Sequence, residues 1–272
     1  MQLVTAAYGY LWGNGLVVSG WIGLIHLMVG TLLVSGGASA VNHYLERDVD
    51  AKMQRTQNRP IPAGKIAAAR VNTIGWVLIG SGTAYLTLLT NPLCGFLAFM
   101  TAILYVAVYT PLKRTTALNT LIGAIPGALP PLGGWAAATG YLNVQAFCLF
   151  LIMFCWQMPH FFALAILYKA DYKAGGLKML PGEDESGNRT IRQIMIYAAL
   201  LMLSIPLPFV LGLAGWTYLL FGMGLTIWFF VRCMQLTSDY SEPRARQVFL
   251  ASIIYLPLIL GVILVDFLIR II

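Results

Sequence analysis

The sequence predicts an all-α integral membrane protein, a bundle of about nine transmembrane helices in one domain spanning residues 1–272. Three observations predict it. Hydrophobic residues make up 59% of the chain and charged residues only 10%, against about 25% charged in soluble domains. The mean hydropathy is +0.77. Apolar runs close to the ~20 residues that cross a bilayer recur along the whole length, with no hydrophilic domain, low-complexity tract or long linker between them.

Residues 2–17 form a weaker first segment. Spanning runs follow at 20–41, 68–89, 93–109, 118–137, 144–168, 190–213, 215–234 and 247–269. The 93–109 run is short for a span. The 118–137 run holds Gly123, Pro126, Gly127, Pro130, Pro131, Gly133 and Gly134, a composition that packs closely or breaks where it lines a cavity. Pro159 frees the carbonyl of Cys155 and predicts a kink. The start has no basic stretch before its apolar run and no clear cleavage site, so it does not read as a secretory signal. Cys94, Cys148, Cys155 and Cys233 fall in or beside spans without metal-ligand spacing and read as small packing residues.

Charge placement predicts the topology. Arg47–Arg70, Lys113 and Arg114, Lys169–Arg192 and Arg232–Arg246 follow the second, fourth, sixth and eighth segments. Arg270 alone among the 17 basic residues lies elsewhere. The opposite loops, near 14–19, 90–92, 138–143 and 214, carry no charge. The charged side is therefore cytoplasmic. The net charge of +7 is a topology signal, and no nucleic acid is expected. Asp266 and Arg270, four apart in the last turn, are expected to pair.

The most informative stretch is Asn42 to Lys65, NHYLERDVDAKMQRTQNRPIPAGK. Asn42, Glu46 and Asp50 recur every four residues and predict one polar stripe on a helix. Asp48 points elsewhere. Arg47, Lys52, Arg55, Arg59 and Lys65 surround the stripe. Carboxylates hold Mg²⁺ through oxygen, Mg²⁺ shares its shell readily with phosphate, and Arg and Lys take the remaining phosphate oxygens. The stripe is thus expected to hold a metal-bound diphosphate at the membrane surface. Arg59-Pro60-Ile61-Pro62 should stop the helix and fold the basic residues back over the acids.

Two other stretches carry polar residues at span ends. In Trp156–Pro181, WQMPHFFALAILYKADYKAGGLKMLP, His160 follows Pro159 with Gln157 and Trp156 beside it. Asp171 lies eleven residues on, three helical turns, and should share the face of His160. Intramembrane polar residues are costly and usually functional, so His160 is a candidate for an acceptor side of the site, with Trp156 and Gln157. Asp171, flanked by Lys169 and Lys173, is a candidate second metal arm. In Tyr109–Trp135, Lys113 and Arg114 are placed to reach phosphate, and Tyr109 to donate a hydrogen bond. His26 reads equally as a helix contact or a substrate contact, and His43 as a neighbour of the stripe.

These motifs, NHYLERDVDAKMQRTQNRPIPAGKI, YTPLKR, IGAIPGALPPLGGW and WQMPHFFALA with DYKAGGLKMLP, resemble the UbiA superfamily of intramembrane prenyltransferases over residues 20–260. WQMPHF and LPPLGGW are similar to its haem-modifying branch. The resemblance implies a central cavity open to the cytoplasmic side of the inner membrane. It implies Mg²⁺-dependent transfer of farnesyl from farnesyl diphosphate to a vinyl group of haem B. The implied metal ligands are Glu46, Asp50 and Asp171, with Asn42. Read from the residues themselves, the expected diphosphate contacts are Arg47, Lys52, Arg55, Arg59, Tyr109, Lys113, Arg114 and Lys173. Leu167 stands where relatives carry a further acid, and relatives begin with a basic segment and a fuller first helix. Tyr105, Phe161 and Tyr168 are candidates to shelter an allylic cation. Expected partners are farnesyl diphosphate, haem B, the lipid bilayer and terminal-oxidase assembly proteins. Two other readings stay open: a prenyltransferase acting on a quinone precursor or chlorophyll-type acceptor, and a transporter of anionic lipid.

Overall fold

The computed structural model describes residues 1–15 and 20–271. Among these residues all regular structure is helical. Nine long helical segments run as α1 (Gln2–Asn14), α2 (Trp21–Leu45), α3 (Ala68–Leu89), α4 (Pro92–Leu112), α5 (Asn119–Thr139), α6 (Val144–Leu167), α7 (Asn188–Ser204), α8 (Trp216–Ser238) and α9 (Glu242–Ile271). Seven are long and apolar enough to cross a membrane, counting Leu207–Val210 as the continuation of α7. The other two are α1, with 13 residues, and α3. α3 has 22 residues, but Asn72, Thr73, Ser81 and Thr83 dilute its apolar character. The first segment ends earlier than expected, at Asn14, where Gly15 adopts the left-handed conformation with φ 61°. Most of the loop expected near 14–19 lies outside the described residues.

Backbone contacts divide the chain into two compact units. The first comprises residues 1–146 and 170–179. Its helices approach closely through small residues, the rule where lipid supplies no hydrophobic drive between helices. A Cβ on Gly37 of α2 would strike the carbonyl of Gly75 on α3, and one on Gly134 of α5 would strike the carbonyl of Ala6 on α1. α5 continues unbroken through Pro126, Pro130 and Pro131, so its Gly and Pro content serves close packing. The 93–109 run gains its missing length from Pro92 and from Thr110–Leu112, reached through a π-helical stretch, Leu104–Tyr109, so that α4 has 21 residues. His26 Nδ1 lies 2.8 Å from the Tyr85 hydroxyl, so of its two readings the structure supports a contact between α2 and α3.

The second unit comprises residues 147–169 and 180–272. Its core includes Tyr218, Phe229 and Tyr255, all fully buried, with the Tyr255 hydroxyl 2.8 Å from Thr226 Oγ1. α6 runs through Pro159 and stops at Leu167, and a separate short helix, Lys169–Ala174, begins after Tyr168. The single helix expected to carry both His160 and Asp171 is therefore interrupted, and the three-turn register between them does not apply.

The expected ion pair between Asp266 and Arg270 does not form among the described residues. The Asp266 carboxylate accepts the Gly215 and Tyr218 amides, at 2.7 and 2.9 Å, and so caps the start of α8. Arg270 donates to the Gly212 carbonyl at 3.1 Å. Unpaired helix-start amides inside a membrane cost more than an exposed ion pair returns. All four cysteines are free and buried. Large apolar side chains such as Ile22, Val77, Leu88, Leu203 and Leu220 are exposed, as helices in contact with lipid require.

Candidate active site

The polar stripe lies in the first unit, at the end of α2. That helix closes at Leu45, and Glu46 leaves helical geometry with φ −97° and ψ 6°. The expected continuous helix through Asp50 is thus broken. Its spacing survives, because the Glu46 amide still donates to the Asn42 carbonyl at 2.9 Å and the Asp50 amide to the Glu46 carbonyl at 2.7 Å. Asn42, Glu46 and Asp50 are all buried, Asp50 completely. Asp48 is exposed, as a residue two positions off the stripe should be.

Each acid of the stripe is held by a cation. The Asn42 side-chain amide donates to Glu46 Oε2 at 3.0 Å, and Lys113 Nζ donates to Glu46 Oε1 at 2.9 Å. Arg59 donates to both oxygens of Asp50, at 2.9 and 2.8 Å. Lys113 is itself buried and sits 4.5 Å from the centre of the Tyr109 ring. The loop after Asp50 turns back as expected, although the helix has already ended before Pro60. Thr56 helps close it by donating to the Asp50 carbonyl at 3.1 Å.

The π-helical stretch of α4 aims a residue that the sequence did not single out. The Thr110 hydroxyl lies 2.8 Å from the Tyr105 carbonyl and 2.8 Å from Asn42 Oδ1. Such stretches recur at functional sites. Thr110 lies inside YTPLKR, but its contact with Asn42 spans 68 residues and leaves no local trace. Thr56, bonded to the Asp50 carbonyl, is another buried polar residue that spacing did not mark.

The remaining candidates fall in three places. Arg114 pairs with Asp48 on the exposed side, its two nitrogens 2.9 and 2.7 Å from the carboxylate. That hydrogen bond is the main reason the Asp48 carboxyl titrates below the usual range. Arg47 donates to the Tyr44 carbonyl at 2.6 Å and covers the Tyr44 ring, again on the exposed side. Arg55 lies 4.6 Å from the Tyr172 ring centre, while Lys52 and Lys173 are exposed. Asp171 accepts the backbone amide of Gln54 at 3.2 Å, tying the short helix Lys169–Ala174 to the loop after the stripe. His160, Trp156 and Gln157 lie in the second unit, where His160 Nδ1 is 2.7 Å from Ser252 Oγ. Trp156 and Gln157 are buried.

Glu46, Asp50 and Asp171 do not converge. Among the described residues no three His, Cys, Asp or Glu side chains are gathered closely enough to hold a metal ion. The donors at the stripe are two buried carboxylates with an amide and a hydroxyl oxygen nearby. That partial set of hard oxygen ligands fits Mg²⁺, which completes its shell with substrate phosphate and water.

A multi-pass helical fold with a buried acid–base cluster at a helix end is the architecture of an intramembrane prenyltransferase. The chain belongs to the UbiA prenyltransferase family, whose model matches residues 2–255. It is 40% identical to a protoheme IX farnesyltransferase of Koribacter versatilis, over 97% of this chain and 88% of that one. It is 41% identical to another of Salinibacter ruber, over 97% and 93%. Among solved structures, a digeranylgeranylglyceryl phosphate synthase superposes with a TM-score of 0.82 at 18% identity, covering 98% of this chain and 92% of that one. A UbiA homologue from Archaeoglobus fulgidus bound to DMAPP and Mg²⁺ superposes with a TM-score of 0.65 at 16% identity, covering 96% and 95%.

Proposed function

We propose that the chain transfers the farnesyl group of farnesyl diphosphate to a vinyl group of haem B, with addition of water, giving haem O. One observation carries the acceptor: relatives near 40% identical over almost the whole chain bear the name protoheme IX farnesyltransferase. The whole chain serves this single activity, with its charged loops and the stripe on the cytoplasmic side of the inner membrane.

In this reading Glu46 and Asp50 hold Mg²⁺, and Asp171 lies outside that set. When bound, Mg²⁺ neutralises charge on the departing diphosphate. Lys113 and Arg59 turn from the carboxylates to the phosphate oxygens as substrate enters, and Arg55 lies within the same unit to add a further charge. Asn42, held by Thr110, keeps Glu46 in place. The carbon–oxygen bond of the farnesyl ester breaks and diphosphate leaves. The vinyl carbon of haem forms the new carbon–carbon bond. Water adds to the cation left beside the macrocycle and releases a proton. Tyr105 and Tyr109 of the π-helical stretch present ring faces that shelter the allylic cation.

The test is incubation of purified protein with labelled farnesyl diphosphate and either haem B or a quinone precursor, with and without Mg²⁺. Label moving to haem B only when Mg²⁺ is present supports the reading. Label moving to the quinone ring, or no transfer, overturns it.

A further inference from the structure

We propose that Ser252 on α9 locks His160 on α6 in the tautomer with its proton on Nδ1, so that the bare Nε2 binds the iron of the haem acceptor. The proposal rests on the haem-acceptor reading above.

The hydrogen bonds determine the tautomer. Ser252 has one hydroxyl proton, and its Oγ lies 2.5 Å from the Phe249 carbonyl. A carbonyl only accepts, so the serine proton goes there. The same Oγ is 2.7 Å from His160 Nδ1 and has only lone pairs left to offer. His160 must therefore donate from Nδ1, which leaves Nε2 of the neutral ring as an acceptor. No described residue forms a hydrogen bond with Nε2.

The ring plane is equally constrained. His160 stacks on Trp156 with centroids 5.4 Å apart and planes 22° apart, and on Phe249 at 5.0 Å and 28°. Phe161 meets it edge-on at 5.5 Å. Trp156 is held by its own indole N–H, which donates to the Ser252 carbonyl at 3.1 Å. One residue of α9 thus fixes both the histidine and one of its aromatic walls. Ser252 is fully buried, while His160 remains partly exposed.

Nε2 is not among the buried polar atoms left without a partner, and the His160 ring is partly exposed, so the bare nitrogen can be reached by a ligand. Imidazole with one nitrogen donating to an oxygen and the other bare is the usual form of a metal-ligating histidine. The aromatic walls hold the imidazole plane fixed, so Nε2 keeps one direction. Ser252 acts through His160 and is a positioning residue.

The test is titration of the purified full chain in nanodiscs with ferric haem B, followed by absorption, electron paramagnetic resonance and resonance Raman spectra. The expected wild-type spectrum shows a nitrogen ligand on iron. In His160→Ala the signature is lost, and added imidazole restores it. Ser252→Ala weakens haem binding about tenfold and shifts the iron–nitrogen band, while Ser252→Thr behaves as wild type. Unchanged Mg²⁺-dependent binding of a farnesyl diphosphate analogue checks that each variant is folded. An unchanged spectrum in His160→Ala, or unchanged affinity and band in Ser252→Ala, overturns the proposal. If wild type farnesylates haem B yet His160→Ala keeps the signature, only the ligand assignment falls. If wild type neither binds nor farnesylates haem B, the acceptor reading falls with it.

Discussion

Arg59 grips the fully buried carboxylate of Asp50 through both oxygens, at 2.9 and 2.8 Å, from nine positions further along the chain. The two partners are unequal. The Arg59 side chain is 34% exposed and that of Asp50 is 0% exposed. Losing the arginine strands a buried charge, whereas losing the acid frees an arginine that already reaches solvent.

Arg59→Ala is therefore expected to lower stability by about 3 kcal/mol. Asp50→Asn, which keeps an acceptor for Arg59, is expected to cost much less. Thermal unfolding of both variants in one detergent measures the asymmetry. Equal losses would show that the pair does not carry an uncompensated buried charge.

Lys113→Met is expected to raise the KM for farnesyl diphosphate roughly tenfold or more, since one charge-assisted contact is worth about 1.5–3 kcal/mol. The KM for haem should stay near wild type. Glu46 keeps its bond from Asn42, but its buried carboxylate loses its cation and stability should fall as in Arg59→Ala, so both constants are measured on protein shown to be folded. Equal rises in both constants would make Lys113 a structural counter-ion only.

Asp184 gives a pH-dependent expectation away from the site. Burial raises its carboxyl, but the amide and hydroxyl of Thr190 and the hydroxyl of Ser186 outweigh it, and the group titrates below 3.8. Its Oδ2 accepts the Thr190 amide at 2.7 Å in the first turn of α7. A carboxyl depressed by folding stabilises the protein above its unfolded value and loses that contribution as pH falls through the folded one. Asp184→Ala should cost about 1–2 kcal/mol at neutral pH, and its gap from wild type should close as pH drops below about 4. A gap independent of pH would mean that packing, not the ionised cap, sets the cost.

The helices were legible because lipid imposes length and apolarity on each span. The spacing of Asn42, Glu46 and Asp50 was legible because backbone bonds keep that interval even where the helix breaks at Glu46. The stop at Tyr168 was not, since no proline or glycine marks it, and Asp171 was placed in register with His160 across it. Asp266 was paired with Arg270 on spacing alone, whereas its true partners are amides 51 and 48 residues away. Thr110 and Ser252 act through contacts of similarly long range, 68 and 92 residues. A local pattern cannot display such contacts.

The buried stripe as the working surface for the diphosphate is tested most directly by turnover of Asp50→Asn against Asp48→Asn, with labelled farnesyl diphosphate, haem B and Mg²⁺. Both changes remove one carboxylate from the same short segment. Asp50 is buried on the stripe, while Asp48 is exposed and paired with Arg114. The expected result is loss of turnover in Asp50→Asn, with protein folded as wild type, and near-normal turnover in Asp48→Asn. Equal loss in both variants, or an active Asp50→Asn enzyme, would contradict the account.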